Sequence, residues 1–308
     1  MALLAPLASA LLSGAVEVVD LTTPLSEHTP VIELPPELGQ ARPFERELIS
    51  RYDAKGPEFY WNNIRLSEHT GTHFDAPVHW LSGRDLDDVA AVPPARLLGP
   101  AAVLDFRAQA AADPDYLLTR EDLDGWSERH GPLPKGGWLL LRTGWDARAD
   151  DRGRYLNGGH SPGIGVECAR WLAEETSVLG IGVETVGIDA GAAGSFADRP
   201  FPCHWHLLGA GKYGLTQLRN LDRLPVTGSM VLAAPLPIVG GSGSPARVLA
   251  LVERPAGTRA GTLAHAVPEA LLEALVEAPA EVSAEALGQA LDELVEADAP
   301  GDGQREHG

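Results

Sequence analysis

The chain of 308 residues is 44% hydrophobic and 22% charged, the proportions of an ordinary globular protein with a large core. Its net charge of −19 leaves no basic surplus to neutralise phosphates, which excludes nucleic-acid binding. Two distant cysteines, Cys168 and Cys203, form no disulfide framework, so we expect a cytoplasmic protein. No stretch approaches the roughly 20 apolar residues of a membrane span, and we expect no membrane association.

Residues 1–15 predict a short amphipathic N-terminal helix. The segment superficially resembles the apolar part of a secretion signal, but no Lys or Arg precedes it and Pro6 interrupts it early. We therefore expect that the protein is not secreted.

Residues 16–254 mix predicted strands with a few helices and show no regular βαβ spacing, which predicts one α/β domain with a mixed sheet. The run 137–144 is continuously apolar and predicts a strand buried on both faces, whereas residues 40–57 are polar and are predicted to be irregular. The predicted strands are 16–21, 59–66, 101–106, 137–144, 178–183, 186–189, 230–234 and 246–252, and the predicted helices are 121–130, 165–175 and 203–212.

Residues 255–308 form an acidic tail rich in Ala and Glu. From Glu253 onward the chain carries twelve acidic residues and three arginines, a net charge of −9. Two short amphipathic helices are predicted at 268–278 and 283–297, and residues 298–308 are predicted to be disordered. The tail is interpreted as a packing appendage or dimer contact, with recruitment of a partner as the alternative.

The most informative segment is residues 69–79, His-Thr-Gly-Thr-His-Phe-Asp-Ala-Pro-Val-His. Side chains two apart on a strand share one face, but a straight strand of this length would span roughly 33 Å, too far for one ion. Gly71 and Pro77 allow the necessary bend. Imidazoles with a carboxylate suit zinc, manganese or iron, so the run predicts a metal-centred active site rather than a solvated strand of polar histidines. Its candidate residues all stand at odd positions: His69, His73, Asp75 and His79.

The run resembles the signature of the cyclase superfamily of metal-dependent hydrolases, which includes bacterial kynurenine formamidase and isatin hydrolase. The resemblance extends over residues 16–252, and it implies a mixed-sheet swivelling β/β/α fold of the kynurenine formamidase type and a homodimer or higher oligomer. Further motifs in matching order support it: Val19-Asp-Leu-Thr-Thr-Pro-Leu25, Arg142-Thr-Gly-Trp145, Val186-Gly-Ile-Asp189 and Gly241-Ser-Gly-Ser-Pro-Ala-Arg247.

The resemblance implies a division of labour within the run. His69, His73 and Asp75 would bind the metal, and His79 would be the catalytic acid and base. Three protein ligands leave one position for water, whose pKa falls to about 7 on a catalytic zinc. The alternative for His79 is a fourth ligand, which would close the site.

Kynurenine formamidases of this family hold a second zinc with a distal histidine and a glutamate twelve residues after it. Here the matching histidine is His204, and Thr216 stands in place of the glutamate. We therefore expect one divalent ion per chain, Mn²⁺ or Zn²⁺, as in the isatin hydrolase branch. His204 is then assigned to substrate binding together with Thr216 and Gln217, and His206 competes with His204 for that role.

Three other features have a functional and a structural interpretation. Trp61 could supply an aromatic wall for a planar substrate or pack in the core. The stretch 240–245 lacks the Lys-Ser/Thr ending of a P-loop and is interpreted as a tight turn near the site. Cys203 is interpreted as a buried inert thiol rather than a nucleophile.

The predicted activity is metal-dependent hydrolysis of the amide C–N bond in a small, cyclic, isatin-like substrate. Metal-bound water would attack, and His79 would take up and return the proton. The same residues would serve the alternatives, which are a kynurenine formamidase, a lactone hydrolase and a biosynthetic cyclase-dehydratase. A non-catalytic metal-dependent binding protein is a further alternative of a different class.

Overall fold

The computed structural model describes residues 4–254. Helix α1 (Leu4–Leu12) does not belong to the larger compact unit, Glu17–Arg254. The helices predicted at 268–278 and 283–297 lie outside the described residues. Within residues 4–254, no helix combines the length and apolar character needed to cross a membrane.

The strands and helices of the chain alternate irregularly. The strands are β1 (Val16–Asp20), β2 (Glu45–Asp53), β3 (Gly56–Arg65), β4 (His73–Asp75), β5 (Leu98–Asp105), β6 (Leu117–Leu118), β7 (Trp138–Arg142), β8 (Gly163–Ile164), β9 (Gly180–Val183), β10 (Tyr213–Thr216), β11 (Thr227–Pro235) and β12 (Gly243–Glu253). The helices after α1 are α2 (Arg107–Ala112), α3 (Arg120–His130), α4 (Arg152–Leu156) and α5 (Val166–Glu174), and a short π-helix spans His204–Leu208. Short 3₁₀ turns include Pro77–His79 and Gly191–Ser195.

The main sheet is mixed, as the sequence predicted, and it closes on itself. Its order is β1-β12-β11-β5-β7-β9-β10-β4, and β4 also pairs with β12. Strands β5, β7, β9 and β10 are parallel, whereas β4 is antiparallel to both of its neighbours. The short strand β4 is therefore held by hydrogen bonds along both edges.

The core lies on both faces of this sheet. Strand β7 shows the alternation that a strand buried on both faces requires. Trp138 and Leu140 point into a cluster with Phe74 and Tyr213, inside the closed sheet. Their neighbours on β7 pack on the opposite face under α3 and α5. The continuous apolar run 137–144 is thus confirmed as a buried strand.

Two predictions about local structure are wrong. Residues 40–57 are not irregular throughout, because β2 pairs with β3 in a two-stranded hairpin. The hairpin buries few of its side chains, so its sequence carries no apolar face that would reveal a strand. Residues 186–189 form bends rather than a strand, and the Thr185 hydroxyl donates to the carbonyl of Gly187 there.

A buried carboxylate fixes the loop that follows β7. One oxygen of Glu184, at the end of β9, accepts hydrogen bonds from the Thr143 backbone N–H at 2.6 Å, the Thr143 hydroxyl at 2.8 Å and the Gly144 N–H at 2.6 Å. Glu184 is 1% exposed. Burial, and secondarily the charge of Asp146, raise the pKa of Glu184 to about 7.

This raised pKa predicts a pH dependence of stability. Between the unfolded value of 4.5 and about 7, the folded state binds more protons than the unfolded state, so the free energy of unfolding falls as pH rises through this window. Across this window the ionisation of Glu184 lowers the free energy of unfolding by about 3 kcal/mol. We expect Glu184→Gln, which keeps an oxygen for the loop donors, to flatten this slope in urea unfolding at pH 5 and pH 8. Equal slopes in the variant and the original protein would contradict this role.

Candidate metal centre

The histidine run bends where the sequence predicted. Gly71 has a φ of 68°, a conformation that favours glycine, and its Cα faces the Leu25 side chain so closely that a Cβ would lie 2.6 Å from it. Only His73–Asp75 are in β4, and Pro77 opens the 3₁₀ turn that carries His79. The bends bring together side chains that a straight strand would spread apart.

Asp75 lies at the centre of the cluster. Its Oδ1 is 2.9 Å from Nδ1 of His69 and 3.3 Å from Nε2 of His73, and the residue is 1% exposed. Burial alone would raise the pKa of this carboxyl, but the two histidines lower it well below its usual range. The group is therefore an anion in a pocket of imidazoles, which is the donor set that a zinc or manganese ion prefers.

His73 is fixed from two sides. Its Nδ1 is 2.7 Å from the backbone carbonyl of Gly71, which can only accept, so Nδ1 carries a proton, and Nε2 lies 3.3 Å from Oδ1 of Asp75. The hydroxyl of Thr216, a fully buried residue, lies 2.8 Å from Nδ1 and 3.2 Å from Nε2. Thr216 thus contacts a predicted metal ligand.

His79 joins the cluster from the 3₁₀ turn. Its ring stacks on that of His69 with centroids 4.0 Å apart, and ligand atoms of His69, Asp75 and His79 lie within 4.8 Å of one another. Burial lowers the pKa of His79 to about 3, against the opposing charge of Asp75. The imidazole is therefore neutral at physiological pH and can accept a proton or bind a metal ion.

His204 reaches the same site from the π-helix. Its ring centroid is 5.4 Å from that of His79, and its Nδ1 is 2.5 Å from Oδ2 of Asp189. Burial opposes protonation, but the hydrogen bond and charge of Asp189 raise the pKa of His204 above its usual value. Burial lowers the pKa of His206, against the charge of Glu174 on α5. The ring contacts of His204 with His79 and Trp80 therefore favour His204 over His206 as the histidine of the candidate site.

An aromatic wall that the sequence interpretation missed stands beside these histidines. The ring of Trp80 lies 4.6 Å from His204 and 5.4 Å from Phe201, and Trp80 also meets His79 at 6.1 Å. Trp80 directly follows the run, which is a signal that could have been used. Phe201 arrives from a loop distant in sequence, and no local pattern marks it. Asp189 ends the motif Val186-Gly-Ile-Asp189, to which the sequence analysis assigned no role in the site.

Two predicted substrate-binding residues lie elsewhere. Trp61 is 53% exposed on the β2–β3 hairpin, where its ring contacts Phe59 at 5.7 Å. Gln217 is 2% exposed, and its side-chain amide donates to the carbonyl of Pro30 at 3.2 Å. Its own carbonyl accepts from the Thr72 hydroxyl at 2.7 Å, so Gln217 connects the loops around β4.

Cys203 does not present a reactive thiol. It is fully buried, and burial raises its pKa well above the usual value. A thiol held in this form is a poor nucleophile. This agrees with its interpretation as an inert buried residue.

Comparison with known proteins identifies the class. The Cyclase family model matches residues 19–190. The chain is 44% identical to the isatin hydrolase of Roseibium aggregatum over 82% of this chain and 97% of that protein. It is 31% identical to the kynurenine formamidase of Salinibacter ruber over 61% of this chain and 77% of that protein. The chain therefore belongs to the Cyclase family, and its relatives place it among hydrolases.

Solved structures agree with the assignment. An isatin hydrolase bound to the product analogue thioisatinate is 42% identical, with a TM-score of 0.80 over 82% of this chain and all of that chain. A protein described as a predicted metal-dependent hydrolase from Bacillus stearothermophilus is 27% identical, with a TM-score of 0.56 over 78% of this chain and 99% of that chain. The mixed-sheet α/β fold of the cyclase type is thus shown, and within this family the chain resembles these isatin hydrolases more than the kynurenine formamidase.

Proposed function

We propose that the protein opens the amide C–N bond of a small, cyclic, isatin-like substrate at a single divalent metal ion. His69, His73 and Asp75 would hold the ion, Mn²⁺ or Zn²⁺, because the carboxylate lies within 3.3 Å of a nitrogen of each imidazole. When bound, such an ion supplies a Lewis acid and lowers the pKa of water. Thr216 offers no carboxylate for a second ion, which argues against a two-metal kynurenine formamidase.

The observation that carries the substrate class is the aromatic wall beside His79. Trp80, Phe201 and His204 pack around one another at centroid distances of 4.6 to 6.4 Å. Aromatic surfaces with one polar edge suit a flat ring system that carries carbonyl groups. An amide fused to an aromatic ring has this shape.

His79 performs the proton transfer in this mechanism. The imidazole is neutral and stacks on His69, so it is placed to take a proton from the attacking water and to return it to the departing nitrogen as the ring opens. The hydrogen bond and charge of Asp189 raise the pKa of His204 and so favour its protonated form, which would donate a hydrogen bond to the substrate carbonyl oxygen or to the carboxylate of the product.

We also propose that two chains associate through the β2–β3 hairpin. This hairpin exposes Leu48, Phe59, Trp61 and Ile64, each between 47% and 59%, and large exposed apolar side chains grouped on one element are typical of a protein contact. In such a dimer, Trp61 would contact a substrate only in the site of the partner chain. The two buried free cysteines support a reducing, cytoplasmic location.

The experiment is a ring-opening assay on purified, metal-depleted protein resupplied with Mn²⁺ or Zn²⁺. We expect turnover of isatin, little turnover of N-formylkynurenine or simple lactones, and a light-scattering mass of two chains. A preference for N-formylkynurenine, or isatin hydrolysis that persists without metal, would overturn the proposed activity. A monomeric mass would overturn only the hairpin contact.

A further inference from the structure

The turn between β11 and β12 forms one wall of the candidate metal centre. Oγ of Ser242 is 2.9 Å from Nε2 of His69. The next residue, Gly243, approaches the same ring so closely that a Cβ would lie 2.7 Å from its Cε1 and 2.5 Å from the carbonyl of Phe74. A glycine is required at this point, and the turn therefore fixes the position of the imidazole.

The hydrogen bonds here have a defined direction. Ser242 Oγ donates to Oε2 of Glu68 at 2.6 Å, and a carboxylate can only accept. Since the hydroxyl hydrogen is committed to Glu68, the hydroxyl must accept from Nε2–H of His69. The same Glu68 oxygen accepts the Ser242 backbone N–H at 3.0 Å, which holds the serine in place.

This direction decides which nitrogen of His69 is available. With one proton on Nε2, the nitrogen left to bind a metal ion is Nδ1, which lies 2.9 Å from Oδ1 of Asp75. His73 reaches the opposite arrangement, because its Nδ1–H donates to the Gly71 carbonyl and leaves Nε2 free. The tautomer of His73 is thus fixed by a backbone carbonyl, and that of His69 by the side chains of Ser242 and Glu68.

We propose that Ser242 and Glu68 are positioning residues that fix the tautomer and orientation of His69 as a metal ligand through Nδ1. The inference rests on the proposed function, since it requires that His69 binds a metal ion. Outer hydrogen-bond partners of ligating histidines raise the basicity of the ligand, and their loss weakens metal affinity by about 10- to 100-fold. Neither residue touches the substrate in this proposal.

The test is the affinity of metal-depleted protein for Mn²⁺, measured by titration calorimetry and by the Mn²⁺ electron paramagnetic resonance signal. We expect Ser242→Ala to bind about 10- to 100-fold more weakly, and Ser242→Thr, which keeps the hydroxyl, to bind within about threefold of the original protein. Ser244→Ala is the matched control. Ser244 is buried in β12, two residues after Ser242, but its hydroxyl donates to the Pro245 carbonyl and not to a histidine.

The outcomes separate this inference from the proposed function. An original protein that binds no Mn²⁺ or Zn²⁺ overturns the metal-dependent function and this inference with it. An original protein that binds metal while folded Ser242→Ala binds it equally well overturns the inference alone. Equal weakening by Ser242→Ala and Ser244→Ala also overturns it, because loss of any buried hydroxyl would then explain the effect.

Discussion

We expect His79→Ala to retain its metal ion, and we expect its turnover rate to fall by about 10²- to 10⁴-fold. The imidazole is neutral and stacked on His69, so it is placed to accept a proton without being needed for the charge of the site. Asp75, His69 and His73 remain to hold the ion. The measurement is the rate of isatin opening at saturating substrate, with metal content determined on the same sample.

His206→Ala is the matched control, because this histidine lies two residues from His204 but interacts with charges on α5 rather than with His79. It should keep normal turnover. Full activity in His79→Ala would remove the proposed acid and base. Loss of metal together with activity would instead show that His79 is a metal ligand. Its ligand atom lies within 4.8 Å of those of His69 and Asp75, which is close enough for that alternative.

The second large effect is expected for Asp75→Asn. A neutral amide of the same shape cannot supply the negative charge that two imidazoles now surround, so the divalent ion loses its one anionic ligand. Loss of an outer hydrogen-bond partner of a metal ligand weakens metal affinity by about 10- to 100-fold. We expect Asp75→Asn to weaken the affinity more than this, and we expect turnover to fall with it. Elemental analysis of the original protein should give one ion per chain.

Asp124→Asn provides the comparison, since Asp124 is an exposed residue on α3 that pairs with Arg120. It should bind metal normally. If Asp75→Asn retained a full equivalent of metal, the three histidines of the run would be sufficient ligands. Two ions per chain in the original protein would contradict the single-metal proposal and the significance given to Thr216.

The predictable part of the site is local in sequence. Ligand spacing, the bend at Gly71 and Pro77, and the buried strand β7 all follow from residue types within a few positions of one another. Strand β2 escaped prediction because its partner is only a hairpin neighbour and no apolar face is buried. The β-branched residues Val186 and Ile188 favoured a strand at 186–189, but the chain bends there and the Thr185 hydroxyl donates to the Gly187 carbonyl.

The rest of the site depends on contacts between distant segments. Ser242 reaches His69 across 173 positions, and Phe201 reaches Trp80 only because the loop before the π-helix folds over the 3₁₀ turns. Such proximity is set by strand order and register, which a single sequence does not encode in any local pattern. Trp61 shows the converse, since it precedes the run closely in sequence, but its ring is exposed on the β2–β3 hairpin and contacts Phe59.

The pairing of β4 has a consequence for how the protein is made. Asp75 is paired with Gly214 on one side and Gly243 on the other, so more than half of the chain separates it from its second partner. During synthesis the histidine run leaves the ribosome long before either neighbouring strand exists, and long-range pairings of this kind form late in folding. At the proposed metal site, acquisition of the ion would therefore be coupled to completion of the sheet, because a nascent chain exposes the proposed ligands without the geometry to retain an ion.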